Sequence, residues 1–317
     1  MAQLEVCLFG RMTSQCNGCP IPGLETRKVQ ELFCYLLLHR QRPHHREVLA
    51  TRLWEESPGA QARKNLRQTL WQLQTALQPE GQPQDGSVVQ ADAEWVHLNP
   101  QMNCWLDVAL FEAAYGQVQE VPGSQLNGDQ SQQLHEAVTL YHGDLLEGWY
   151  QDWCIFERER LQTMYLTMLD KLASYCEGHG EYERGLAYAQ QILRHDRARE
   201  RTHRRMMRLY YLAGNRTAAL RQFASCVAAL QEELDAPPAR STLALYEQIR
   251  TDRLRRPGSA GQSPALPADP GAPAHDDQDA VAQLRQMRAA LQHLQSQVDA
   301  CMLTVARALD NPTDKSP

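Results

Sequence analysis

Residues 62–77 read ARKNLRQTLWQLQTAL, and the fold of the first third of the chain turns on them. At 3.6 residues per turn, Leu66, Leu70, Leu73 and Leu77 fall in one narrow stripe, the core face of an amphipathic helix predicted over 59–78. The opposite side carries Lys64, Gln68, Trp71, Gln72 and Thr75, flanked by Asn65 and Arg67, and no carboxylate occurs between 58 and 78. Asn and Gln side chains can pair bidentately with adenine edges, and Arg or Lys with guanine or phosphate, so such a face is fit to enter a DNA major groove. The competing reading is a solvated helix whose amide and basic residues merely face water.

Working outward, LEVCLFG (4–10) and the segment around Cys16–Ile21 read as short strands joined by an Asn17-Gly18 turn. Helical patterns follow over 25–40, with Val29, Leu32, Phe33, Leu36 and Leu37 on one face, and over 44–54. SVVQADAEWVHLNP (87–100) reads as two β-prone runs about Ala91-Asp92. Strands, three helices and a terminal hairpin make a small α+β unit of the winged-helix kind. Arg40, Arg42 and Arg46 lie between the first two helices or at the start of the second, where a crossing helix would set them near a phosphate backbone. Trp95 and His97 could be wing residues at the minor groove, but for Trp95 a place in the hairpin core is the favoured expectation, since large aromatics usually bury their area.

From Leu110 to Ile249 the pattern is helical throughout. Gly180-Glu181-Tyr182 opens a stretch that Gly214-Asn215-Arg216 repeats 34 residues later, the tetratricopeptide period, in which each helix pair buries its apolar face only against its neighbours. A short helical solenoid with a concave face is the expectation. Residues 257–279, PGSAGQSPALPADPGAPAHDDQD, have almost nothing large to bury and read as a disordered linker. Beyond it, Leu284, Leu291, Val298 and Val305 at one heptad position, with Met287, Leu294, Cys301 and Ala308 at the other, predict a coiled-coil helix over 280–310. That helix either pairs two protomers or packs back on its own solenoid.

The whole chain of 317 residues carries a net charge of −6, which argues against nucleic acid only until it is divided. Residues 1–106 hold ten basic against ten acidic side chains, 107–256 hold 18 against 21, and 257–317 hold four against seven. The deficit lies outside the segment that could read DNA. A neutral domain lacks the steering field of a basic one, so modest affinity supported by two protomers or tandem sites is expected. No apolar run approaches the roughly 18 residues that span a bilayer, the first residues lack a secretory pattern, and nine scattered cysteines suit free thiols in a reducing cytosol; a cytoplasmic protein is expected.

Readings as an enzyme find little support. No Gly is followed by Lys, which removes the phosphate-binding loop of an ATPase. Cys16-Asn17-Gly18-Cys19 has the spacing of half a zinc site or of a redox pair, but it lacks a second pair and puts Asn-Gly where a hairpin turn needs it. His44 and His45 are adjacent and point apart on a helix. Glu157, Arg158, Glu159 and Arg160 alternate in charge as surface ion pairs do. No catalytic residue, metal or cofactor is assigned.

These pieces carry a resemblance. TRKVQELFCYLLLHRQRPHHREVLATRLW (26–54) and ARKNLRQTLWQLQTAL (62–77) are joined by LDVALFEAA (106–114), AVTLYHGDLLEGWYQDWCIFERERLQTMYL (137–166) and the run 199–249. Together they resemble the Streptomyces antibiotic regulatory protein family, in which an OmpR-type winged helix precedes a tetratricopeptide-like bacterial transcriptional activator domain. The resemblance covers about residues 4–250. It implies a winged-helix DNA-binding domain (1–106), an activator domain (107–256), and a regulator that sets its third helix into tandem promoter repeats and helps recruit RNA polymerase. Carried onto this sequence, Lys64, Asn65, Arg67, Gln68, Trp71 and Gln72 become base or backbone candidates, Arg63 a phosphate contact at the helix's positive end, and Arg42 and Arg46 backbone contacts. Gln72 and Gln74 stand where the family commonly has Arg, which would remove up to about two neutralised phosphates and flatten the salt dependence. Arg197 stands where Pro is frequent, with an effect expected only on a helix end. The rival function is a protein-interaction scaffold whose winged helix has lost its affinity for DNA.

Overall fold

Leu4 and Val6 are buried on one side of the first strand, β1 (Leu4–Cys7), whose alternation places it at the centre of a four-stranded sheet. The computed structural model describes residues 4–78 and 87–254; the linker at 257–279 and the heptad helix at 280–310 lie outside the described residues. Strand β2 (Thr13–Cys16) pairs antiparallel with β1, and β3 (Cys19–Pro20) with β2. The Asn17-Gly18 turn between them has both residues at positive φ, as a two-residue hairpin requires. Helices α1 (Arg27–Leu38), α2 (Arg46–Leu53) and α3 (Gly59–Leu77) follow, with the two-residue strand β4 (His44–His45) placed before α2, where a single helix over 44–54 is expected from the sequence. The β5–β6 hairpin (Val89–Ala91, Trp95–Leu98) pairs with β4 in the order β4-β6-β5.

The chain then returns to its beginning. Strand β7 (Cys104–Leu106) lies parallel to β1, with Val6 opposite Leu106, and runs without a break into α4 (Asp107–Val118). Asp107 is buried at this corner, where its carboxylate accepts the backbone N–H of Leu8 (2.8 Å), Phe9 (2.9 Å) and Val108 (2.7 Å). Burial pushes its acidity to higher pH, and the three N–H donors pull the other way. The rest is helical: α5 (Gly128–Leu140), α6 (Asp152–His179), α7 (Tyr182–His195), α8 (Glu200–Leu212), α9 (Arg216–Leu234) and α10 (Arg240–Arg250). The 34-residue repeat is visible in the backbone: Gly180 and Gly214 both adopt left-handed φ, 76° and 83°, each just before a new helix. Four residues into those helices, Gly185 and Ala219 occupy equivalent places. Gly185 is close enough to Leu209 and Cys176 that a Cβ would crowd them, and Ala219 is fully buried. Small residues thus sit where the repeated helices cross.

One hydrophobic cluster runs from β1 through α1–α3 into α4–α7, so the two halves share a core. Phe9 packs edge-on against Phe111 (5.0 Å) and beside Tyr141 (4.8 Å), and Tyr35 of α1 meets Trp153 of α6 edge-on at 5.5 Å. The segment 141–149 forms the hinge of this junction. Leu146 is buried there at a positive φ of 49°, and its N–H donates to the carbonyl of Leu8. The guanidinium of Arg158 donates to the carbonyls of Leu145, Leu146 and Trp149 at 3.0–3.1 Å. A cation on a helix, read from the sequence as one of four alternating surface charges, is in fact the clamp of a buried turn.

Two histidines make this junction sensitive to acid. His39 caps the end of α1 and His44 is buried in β4, 6.0 Å apart, both edge-on to Tyr35. Burial lowers both pKa values below the usual imidazole range, more than Glu157 near His39 or the His39 carbonyl bonded to His44 can offset. Because the folded state disfavours the charged form, their contribution to stability is present above the unfolded imidazole pKa of about 6.5 and is lost as pH falls from there through the lower folded value. Thermal midpoints measured at pH 7.5 and pH 5.5 should therefore drop on acidification. The drop should be smaller in a His39→Gln, His44→Gln double variant; an equal drop would exclude these two residues as its source.

Candidate nucleic-acid interface

Helix α3 is held by its apolar stripe: Ala62, Leu66, Thr69, Leu70, Leu73 and Leu77 are buried against α1, α2 and β5. That packing fixes what faces outward. Arg63, Lys64, Arg67, Gln68 and Trp71 are exposed together, and Asn65 and Gln72 are half-buried at the edges of the same face. Trp71 is 65% exposed, a large aromatic left in water on a face otherwise amide and basic. Its carbonyl accepts the hydroxyl of Thr75 at 2.8 Å, while Gln61 donates to Asn65 Oδ1 at 2.8 Å. Arg63 meets Glu47 of α2 at 3.6 Å, but both side chains are more than half exposed, so the pair is worth little and readily exchanged for another anion.

The remaining sequence candidates are placed differently. The Arg46 guanidinium donates to the Asp92 carbonyl at 2.6 Å and its N–H to the Glu94 carbonyl at 2.8 Å, so Arg46 anchors the turn of the β5–β6 hairpin. Asp92 reinforces the turn by accepting the N–H groups of Glu94 and Trp95, which hold its carboxyl below the usual range. Arg42 does not join α3. It lines a cleft between the α1–β4 loop and helices α4 and α6, together with Glu112, Tyr115, Phe156 and Arg160. Arg40 donates to Glu112 of α4 at 2.6 Å, and Glu112 is shared with Arg160. Its charge is spent on the junction and not near α3. Gln74 donates to the Val89 carbonyl at 3.1 Å, tying α3 to the hairpin. One of the two family arginine positions is thus occupied here by a residue that holds the wing.

Trp95 is 41% exposed, which corrects the expectation of a place in the hairpin core. It stands edge-on to His45 at 5.3 Å, with Val96 and Leu98 filling the core instead. Strand alternation could have shown this: if Val96 and Leu98 point inward, Trp95 and His97 cannot. His97 bonds to Gln90 Oε1 at 2.9 Å across the hairpin. Cys16 and Cys19 face each other across the β2–β3 turn as free thiols. Among the described residues, no group of three or more His, Cys, Asp or Glu is placed to hold a metal ion, and no helix is long and apolar enough to cross a membrane. Arg197, in the loop between α7 and α8, ion-pairs with Glu232 and Glu233 of α9, so the departure from Pro gives a charged tether from that loop to α9.

Three helices and a terminal hairpin are thus joined through a shared core to repeated helix pairs. Residues 106–250 match the family model described as the bacterial transcriptional activator domain. The chain carries that domain over this segment and is similar to regulators of the Streptomyces antibiotic regulatory protein type. Among solved structures it is similar in fold to Mycobacterium tuberculosis EmbR, determined in complex with a low-affinity phosphopeptide. The match has a TM-score of 0.62 at 21% identity and covers 80% of this chain and 67% of that one. No curated protein matches the chain.

Proposed function

We propose that this protein is a DNA-binding transcriptional activator acting in the cytoplasm. Residues 1–106 bind tandem promoter repeats, and residues 107–256 contact RNA polymerase. The observation that carries the reading is the outward face of α3, where Lys64, Arg67, Gln68 and the exposed Trp71 share one stripe on a helix without a carboxylate. Arg63, Asn65 and Gln72 flank it, and Trp95 of the β5–β6 hairpin is exposed as well. Arg46 contributes through the wing that it anchors. Arg42, on the cleft toward α4 and α6, is the weakest of the proposed contacts. Contact with another protein is supported by a second exposed pair, Val48 on α2 and Phe156 on α6 (53% and 70% exposed), which line one surface pocket.

Titration of fluorescent promoter DNA at two salt concentrations tests this. Binding that weakens steeply with salt supports the activator reading; weak binding indifferent to salt would favour the protein-interaction scaffold. The heptad segment at 280–310 is proposed to pair two protomers on the repeated sites. Deleting 257–317 should then lower the mass in solution from dimer to monomer, and an unchanged mass would sink the coiled-coil pairing.

A further inference from the structure

Away from α3, a cavity of about 360 Å³ opens between α5, α6 and α7, at the lower end of the range of small-molecule sites, roughly 300–1,000 Å³. Its wall is aromatic. Tyr141 and Tyr165 stack in parallel, 4.2 Å apart and 14° from coplanar, and His195 stands edge-on to Tyr165 at 5.5 Å. Tyr141, Tyr165 and Tyr188 are each more than nine-tenths buried, so the stack is a fixed platform. Their hydroxyls are committed: Tyr141 donates to Asp144 (2.9 Å), Tyr165 to Gln191 Oε1 (3.2 Å), and Tyr188 bonds to His135 Nδ1 (3.0 Å).

The charge of the cavity has one sign. No carboxylate lines it, and Asp144, the nearest acid named above, is engaged by Tyr141 and lies outside the lining. Arg194 does line it, is exposed, and forms no ion pair or hydrogen bond among the described residues. Arg184, Arg197, Arg201, Arg205 and Arg208 are each paired with a carboxylate, whereas Arg194, like Arg199 and Arg221, has no such pair among the described residues. An unpaired guanidinium beside a π platform offers a planar, two-pronged donor for a carboxylate and a surface for a ring.

We infer that the α5–α6–α7 cavity is a binding site for a small aromatic carboxylic acid, whose ring packs against Tyr141 and Tyr165 and whose carboxylate pairs with Arg194. The occupant would be one ring away from the winged-helix half, because Tyr141 also packs against Phe9 at 4.8 Å, just beyond β1. The site therefore suits an effector.

Phenylacetate, 2-phenylethanol and acetate, titrated into the full chain and followed by NMR at the Val138 methyl groups and the Tyr165 ring, separate the two contributions. Phenylacetate should give saturable shifts at both positions, with affinity about tenfold or more above that of the neutral alcohol or the ring-free acid, since a charge-assisted pair contributes that much. Arg194→Gln should lose about tenfold for phenylacetate and leave 2-phenylethanol unchanged. The side chain is exposed and unpartnered, so an unchanged melting temperature is the control for folding. Tyr165→Leu should weaken both ring-bearing probes. Absence of saturable shifts in the wild type, equal binding of acid and alcohol, or an Arg194→Gln variant that binds phenylacetate as well as wild type would each overturn the proposal. None of these readings depends on DNA.

Discussion

Replacing Arg67 and Gln68 together by Ala is expected to reduce affinity for promoter DNA by about two orders of magnitude, each residue contributing on the order of 1–3 kcal/mol if it reads a base edge. The two are consecutive on the exposed face of α3, between Lys64 one turn before and Trp71 one turn after. Neither has a hydrogen bond or ion pair among the described residues that its loss would break, so the fold should be unaffected and the loss should appear in binding alone. The single variants divide the roles. Arg67→Ala should flatten the dependence of log K on log salt by about one if its contact is to phosphate, and leave the slope unchanged but relax sequence preference if it is to guanine. Anisotropy titrations over a salt series, on the promoter and on a scrambled duplex, read both. Wild-type affinity retained in the double variant would remove α3 from the interface and leave the scaffold reading in its place.

Arg158→Met is the second substitution from which a large effect is expected, and here the effect is on the fold. Met keeps much of the aliphatic length but leaves the carbonyls of Leu145, Leu146 and Trp149 without their charged donor. Donors of this kind contribute about 1.5–3 kcal/mol each, and partial access of water to the turn recovers some of that, so a loss on the order of 3 kcal/mol is reasonable. The turn has little in reserve, because Leu146 is held at a positive φ that costs a non-glycine residue about 1–3 kcal/mol. Leu146 N–H to Leu8 and Glu147 N–H to Gly10 are what dock the turn onto the segment after β1. Loosening it should therefore uncouple the two halves. Urea unfolding followed at Trp149 and Trp153 should show a lower midpoint, with the transition broadening or splitting in two. A midpoint within a few tenths of a molar of wild type would show that the turn is held by its apolar contacts alone.

The local elements of this protein were legible in its residues because each is decided within a few turns of chain. The Leu66–Leu77 stripe specifies both that α3 forms and which side it buries, and hence which side is left for a ligand. Gly180 and Gly214 mark the 34-residue repeat because each helix pair needs the same left-handed turn. Asn17-Gly18 does the same for the first hairpin. What was not legible depends on segments far apart in sequence. Arg46 and Gln74 read as free polar groups until the hairpin closes over them. Arg40 and Arg158 look like surface cations in a one-dimensional reading, and only the docking of α1 and of the 141–149 turn against α4 and α6 turns them into internal clamps.

By itself the sequence determined the amphipathic face of α3, the repeat of the helical half, the separation of its charge by segment and the resemblance that ties the two halves together. These are periodic or local properties, written in neighbouring residues. The parallel pairing of β7 with β1, the capture of the Leu8 and Phe9 amides by Asp107 about a hundred residues away, and the tyrosine-walled cavity beside Arg194 were decided only by tertiary structure. Each needs two or three segments brought within a few ångströms, and no spacing along the chain encodes which distant segments will meet.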